Sequence, residues 1–317
     1  MAITFPGRRG TATRASTSIT VNSVAGSSLL FAQVVCWKYS ETDDTDLVTG
    51  VTSGGGTYVW ERAVVSKHRV VGGSEHKVEV SVWFLKNAPS GNTTAVLAHR
   101  GDDYWWNWEE AVGCATTTPT GPTGTVANNA VTSVTTSSTG TLPMADMLVV
   151  GVYANPYGST FTGPAGSTTR DSMNGAADPA VIGGVFSVQI VSATTAIAWN
   201  YTSGSTATQG VVAAVATFKG ATTQRRLKIN NLQSAVNGTT DWTIRYWAVD
   251  GATFTGTRVT GINAEASGGT IYVTAAQSAP IAALAPATAV NCVALRASGS
   301  PIKGLVGVVQ GVIEDYT

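Results

Sequence analysis

Between His76 and Ala88 the sequence HKVEVSVWFLKNA alternates with a period of two. Val78, Val80, Val82 and Phe84 share one face, and Glu79, Ser81, Trp83 and Leu85 share the other, because successive side chains of a strand point to opposite sides. The run is a strand that covers a core. Nearly all of the chain repeats this theme.

The flanks of that strand are turn signals. In Asn87-Ala88-Pro89-Ser90-Gly91-Asn92, proline removes a backbone donor and glycine permits positive φ, so the chain must turn before TTAVLAHR begins a further strand. On the other side, Gly72-Gly73 separates it from YVWERAVVSKHR, a short-hairpin signal. The three runs predict an antiparallel meander. Upstream, SITVNSVAGSSLLFAQVVCWKYS gives two extended runs joined at Ala25-Gly26, the second apolar throughout, as a strand buried on both faces would be. An acidic loop, ETDDTDLVTG, follows, and Gly54-Gly55-Gly56 then predicts a hairpin.

Downstream come the aromatic run YWWNWEEAVGCATTTPTGP and the runs NNAVTSVTTSST, DMLVVGVYAN, VIGGVFSVQIV, TTAIAWNYTS and TQGVVAAVATFKGA. The stretch Pro156 to Pro179, rich in Gly and Pro, reads as a surface loop. No helical periodicity exceeds two turns. About a dozen strands at this spacing indicate a β-sandwich or jelly roll. Residues 1–17 form an N-terminal arm, 18–221 the jelly-roll-like sandwich, and the seam falls at Ala221 to Gln224. Six further runs in 224–317 have the size of an immunoglobulin-like sandwich, with Trp247 either in its core or at an interface.

The chain has 317 residues, 12% charged and 43% hydrophobic, with zero formal net charge. That composition excludes a disordered polyelectrolyte, and no run approaches the ~18 apolar residues of a membrane span. Basic residues concentrate only at Arg8, Arg9 and Arg14 and at Arg225, Arg226 and Lys228, too few for a broad phosphate-binding face, so neither nucleic acid nor membrane is an expected partner. The Arg8 to Arg14 arm suits an acidic protein surface and equally suits a frayed terminus. The N-terminus lacks an apolar export signal. Cys36, Cys114 and Cys292 lie in apolar runs far apart and read as buried thiols.

The order ITV…LLFAQVVCW, VTGVTSGGGTYVWERAVV, VEVSVWFLKNAPSGNTTAVLA, EEAVGCATTTP, ADMLVVGVYA and QGVVAAVATFKGA resembles a jelly-roll-type module of tailed-phage virion proteins and bacterial surface proteins. The resemblance covers Ile19 to Ala221 and includes the word W-x-L-x-x-A-P-x-G at Trp83 to Gly91. It departs at DDYWWNW, where the module has a small-residue lead-in. No shared catalytic set transfers with it. It implies a virion setting, with other virion proteins as partners and a homo-oligomer on a particle.

Motifs for chemistry are sparse. His68 and His76 straddle a turn without a third ligand for zinc. Glu41, Asp43, Asp44 and Asp46 lack the spacing of a calcium loop and read as a solvated loop. Asp102, Asp103, Glu109 and Glu110 are the acids set among aromatics, but adjacent acids on a strand face opposite ways, which does not suit a glycosidase pair. There is no G-x-S-x-G, and His99 has no nucleophile motif beside it. Arg100-Gly101-Asp102 is a chance tripeptide. The remaining departure is Tyr104-Trp105-Trp106-Asn107-Trp108: alternation puts Tyr104, Trp106 and Trp108 on one face and Trp105 on the other, with some rings expected to be exposed. Exposed rings would contact a partner or stack on glycans, whereas the alternative is that they seal the sandwich end.

The expectation is a non-enzymatic virion structural or accessory protein, a capsid decoration or a head or tail appendage, assembled in the host cytoplasm without a cofactor. A carbohydrate-binding adhesin or receptor-binding protein that engages host surface glycan through Tyr104, Trp105, Trp106 and Trp108 is the alternative, followed by a polysaccharide-active enzyme.

Overall fold

The computed structural model describes the chain apart from residues 1–2, 7–9, 11–12, 14–15, 72–74, 130, 157, 175–181, 205–209, 222–223, 233–240, 249–254, 261–268, 275–288, 297–308 and 317. The described residues are all-β, without a helix, and belong to the β-sandwich class. The chain divides into two compact units, Met1–Ala221 and Thr222–Thr317.

The strands of the first unit are, in order, β1 (Ser18–Val24), β2 (Ser28–Tyr39), β3 (Val48–Ser53), β4 (Tyr58–Val59), β5 (Glu61–Val70), β6 (His76–Ala88), β7 (Gly91–His99) and β8 (Asp103–Ala111). There follow β9 (Thr120–Asn128), β10 (Ser133–Thr135), β11 (Met147–Pro156), β12 (Phe161–Thr162), β13 (Thr168–Met173), β14 (Ile182–Val191), β15 (Asn200–Ser203) and β16 (Val211–Phe218). They form four sheets. Sheet I has the order β1-β7-β3-β4, sheet II β5-β6-β2-β8, sheet III β13-β14-β11-β16-β9 and sheet IV β10-β15-β12.

The alternation of β2 and β6 explains how these sheets stack. Phe31, Val35, Val78, Val80, Val82 and Phe84 meet Val150, Val152, Phe186, Ala214 and Phe218, so sheet II packs on sheet III. The opposite faces carry Leu30, Ala32, Val34 and Trp83 against Ile19, Val51, Ala95 and Leu97, so sheet I covers the other side of sheet II. Sheet III in turn uses Val149, Tyr153, Val185 and Ala213 against Val134, Trp199 and Tyr201 around sheet IV. Sheets II and III are therefore covered on both faces, and the uninterrupted burial of β2 from Ser28 to Trp37 follows from that position.

Two expectations change. The meander breaks after its second strand: β5 pairs with β6 across Val70↔His76, but β7 leaves sheet II and pairs with β1 and β3 in sheet I. The turn at Asn87 (φ 49°) and Gly91 (φ 103°) makes this crossing, because each face of β6 needs its own covering layer. The Pro156 to Pro179 stretch is not merely a surface loop, since it contributes β12 to sheet IV and β13 to the edge of sheet III. TGPTGTVAN forms β9 although it holds Gly121, Pro122 and Gly124, and the breakers are tolerated because β9 is an edge strand. The Gly54-Gly55-Gly56 hairpin is present, with all three glycines at positive φ between the paired β3 and β4.

In the second unit, β17 (Gln224–Leu232), β18 (Asp241–Ala248), β19 (Thr255–Thr260), β20 (Gly269–Thr274), β21 (Ala289–Arg296) and β22 (Val309–Tyr316) make one hydrogen-bonded sheet, ordered β19-β18-β21-β22-β17-β20. Its register sets Arg225 opposite Asp315 and Arg226 opposite Glu314. Lys228, the third basic residue of that cluster, is opposite Val312. The side chain of Trp247 lies outside the described residues.

Candidate functional site

The loop 40–47, between β2 and β3, carries the acids expected to be solvated. Asp43 and Asp44 are exposed as expected, but Glu41 is buried, and the carboxylates of Glu41, Asp43 and Asp46 stand in a bonded cluster. Glu41 pairs with Lys38 (3.0 Å) and Arg100 (3.1 Å). Asp43 Oδ1 accepts hydrogen bonds from Arg100 Nη2 (2.8 Å) and the Thr45 amide (2.8 Å). Asp46 is held by Arg62 (2.5 Å) and Lys67 (3.0 Å), while its main-chain oxygen accepts from Arg100 Nε (3.1 Å). Lys67 Nζ also donates to the Asp44 carbonyl (2.5 Å), and Arg69 donates to the Thr42 carbonyl.

Two residues beneath the loop were not singled out in the sequence as site residues. Lys77 and Glu79 on β6 are both 0% exposed. Lys77 Nζ donates to the Thr45 carbonyl, and the Glu79 carboxylate accepts the amides of Leu47 (2.7 Å) and Val48 (3.2 Å). Burial pushes the Glu79 carboxyl up, with the two amides opposing it, and burial together with the Lys67 charge pulls Lys77 down. Burial alone would raise Asp46, but bonds and charge from Arg62 and Lys67 outweigh it and hold that carboxyl below its usual value. The signal for Lys77 and Glu79 was in the alternation itself: the polar face of β6 also carries Trp83 and Leu85, so it too must be covered.

An open cleft lies beside this loop, lined by Thr45, Asp46, Val48, Thr49, Arg62, Trp83 and Arg100. The Arg62 guanidinium sits 5.5 Å from the Trp83 ring centre. The charged groups of the lining are two guanidiniums and one carboxylate.

The aromatic run lies elsewhere and is folded inward. Trp105 is 3% exposed, and Trp106 and Trp108 are 0% exposed. The alternation is as expected, with Tyr104, Trp106 and Trp108 towards sheet I and Trp105 towards sheet III, where it stacks on Phe186 at 4.0 Å. The expected exposure of some of these rings is overturned for the tryptophans, because β8 belongs to a sheet covered on both faces. Trp106 Nε1 and Trp108 Nε1 donate to the carbonyls of Ser16 (2.9 Å) and Ile19 (3.1 Å). These indoles offer no flat face to a glycan; Tyr104 is partly exposed and packs on His99 at 4.2 Å.

Glu109 points into the II–III interface and forms a two-point ion pair with Arg170 of β13, whereas Glu110 accepts the Ala25 amide (2.8 Å). Asn107 beside Glu109 bonds Asp171 (3.0 Å). Asp102 accepts the Tyr39 amide (2.8 Å) and Arg100 belongs to the loop cluster, so both charged members of the tripeptide are engaged in the fold. His68 bonds Asn129 (3.0 Å) and His76 is buried near Trp37. Among the described residues no group of three His, Cys, Asp or Glu is placed to hold a metal. Burial pushes the thiols of Cys36 and Cys114 up to about 12; the side chain of Cys292 is outside the described residues.

Arg8, Arg9 and Arg14 also lie outside the described residues. Their described neighbours are not frayed: Gly10 donates to Trp108 and Thr13 exchanges bonds with Trp106 along the outer edge of β8, and Thr4 exchanges amide bonds with Val112 just beyond its end. Ile3 is buried in the II–III core. Among the described residues no helix is long and apolar enough to cross a membrane. No family model, curated protein or solved structure matches the chain.

Proposed function

We propose that the chain is a non-enzymatic structural or accessory protein of a phage virion, a capsid decoration or a head or tail appendage, acting through protein–protein contacts. The observation that carries this reading is what the interior charges do. Glu109 with Arg170 fastens sheet II to sheet III, and Glu79 with Lys77 fastens a loop to sheet II, so buried ionisable groups hold layers together. Catalysis would ask such groups to face substrate with shifted affinities for protons. A rigid stack of covered sheets suits a part that must keep its shape within an assembly.

The resemblance of Ile19 to Ala221 to jelly-roll-type modules supports the virion setting, with other virion proteins as partners and several copies on a particle. Co-purification with intact virions, followed by electron microscopy that locates the chain on shell or tail, tests the proposal. Its absence from purified particles made in cells that express it would overturn the reading.

A further inference from the structure

The cleft beside loop 40–47 holds two arginines whose donors are only partly used. Arg62 gives Nη1 to Asp46 and lies over Trp83, while its Nε and Nη2 make no bond among the described residues. Arg100 gives Nε to the Asp46 carbonyl and Nη2 to Asp43 and Glu41, leaving Nη1. One residue, Asp46, therefore fixes both guanidiniums, one through its carboxylate and the other through its main chain. An adjacent, coplanar pair of N–H donors matches the two oxygens of a carboxylate, and donors held in place before binding lose little rotamer freedom on contact.

We propose that this cleft binds an Asp or Glu side chain of a protein partner, with the Nε/Nη2 edge of Arg62 as the fork and Nη1 of Arg100 as a further donor. A protein carboxylate fits better than an acidic sugar, because the Trp83 ring is buried and covered by Arg62 and offers no stacking face to a sugar ring. The proposal rests on the protein-contact reading above and names the chemistry of one contact.

The test uses the full chain and three probes: glutarate, an N-acetylated peptide of five glutamates, and galacturonate. Side-chain N–H resonances of Arg62 and Arg100 are followed by NMR during titration. Saturable shifts with glutarate and the peptide are expected, with Arg62→Gln weakening peptide binding about tenfold or more, the loss expected for charge-assisted hydrogen bonds. Because Arg62→Gln also loosens Asp46, Thr49→Glu is the second variant. It leaves Asp46 untouched, places a carboxylate on the exposed rim and should block the peptide by occupying the cleft.

Unshifted arginine resonances at saturating glutarate would overturn the site, and tighter binding of galacturonate than of the peptide would overturn its protein occupant. Full virion occupancy by Thr49→Glu, with peptide binding lost, would overturn the cleft as the contact and leave the accessory role standing. Peptide binding in a chain that never joins particles would instead sink the accessory role.

Discussion

Two charged clusters in the first unit resemble each other on paper and differ in what surrounds them. Glu109 and Arg170 meet between sheets II and III, with side chains 1% and 20% exposed. Arg62, Lys67 and Asp46 meet at the cleft, with side chains 30–36% exposed. In the first place the carboxylate is shut off from water and the guanidinium is mostly covered, so removal of the arginine strands a charge in the core. In the second, water screens each pair and replaces a lost partner, so the pairs hold a loop in shape while adding little to global stability. The same residue types are an internal fastening in one place and an accessible donor surface in the other.

The largest effect should come from breaking the internal pair. Glu109→Ala is expected to lower unfolding free energy by ~3–5 kcal/mol, measured by urea denaturation, because Arg170 would remain largely buried without its carboxylate. Replacing both partners, Glu109→Leu with Arg170→Met, should recover much of that loss, since an apolar pair needs no compensation. A single-variant loss under ~1 kcal/mol would put this pair on the footing of the exposed one and break the comparison.

Glu79→Ala comes next. It leaves the amides of Leu47 and Val48 without their acceptor where the loop meets β6, at an expected cost of about 1–3 kcal/mol. Hydrogen exchange should speed up selectively at those two amides. Unchanged protection there would show that the loop is held by its exposed pairs alone.

The extent to which these clusters were legible in the sequence depends on the period of a strand. The two faces of β6 and of Tyr104 to Trp108 could be read directly, because alternation is local. Which layer covers each face could not be. Nothing near Ala88 says that β7 crosses to sheet I, since the same turn residues serve a hairpin and a crossing. Arg170 lies in a stretch rich in Gly and Pro, and its partner is 61 residues away. Whether the tryptophans are exposed or seal the sandwich could not be read for the same reason: rings on both sides of a strand imply exposure only when one side has no cover. The acids of loop 40–47 were visible, but their cations on β5, β6 and the segment after β7 are brought together only by the fold.

Acid should separate the two carboxylates at the loop. Asp46 is held below its usual 3.8, so its contribution is complete above pH 3.8 and is lost as pH falls through the lower folded value. Glu79 runs the other way: its folded value lies above the usual 4.5, so between that raised value and 4.5 the folded state takes up the proton first and a falling pH favours folding. Thermal melts of Glu79→Gln should lack the gain in that window and keep the loss below pH 3.8. A Glu79→Gln profile identical to that of the parent would remove Glu79 from the account.

Asp46→Asn should have the smallest effect on stability. The amide oxygen can still accept from Arg62 or Lys67, and the main-chain bond to Arg100 Nε is untouched, so only the ionic part of two partly exposed pairs is lost. Pairs of that kind contribute about 0.2–1 kcal/mol each, and salt reduces them further. The urea midpoint should therefore move little, and the difference from the parent should shrink as salt is raised. Held by a neutral acceptor in place of the carboxylate, Arg62 is fixed less tightly, so hydrogen exchange across 40–47 should rise while that of β2 and β11 stays put. If Asp46→Asn instead unfolds the protein as readily as Glu109→Ala does, the loop belongs to the core and the distinction between the two clusters fails.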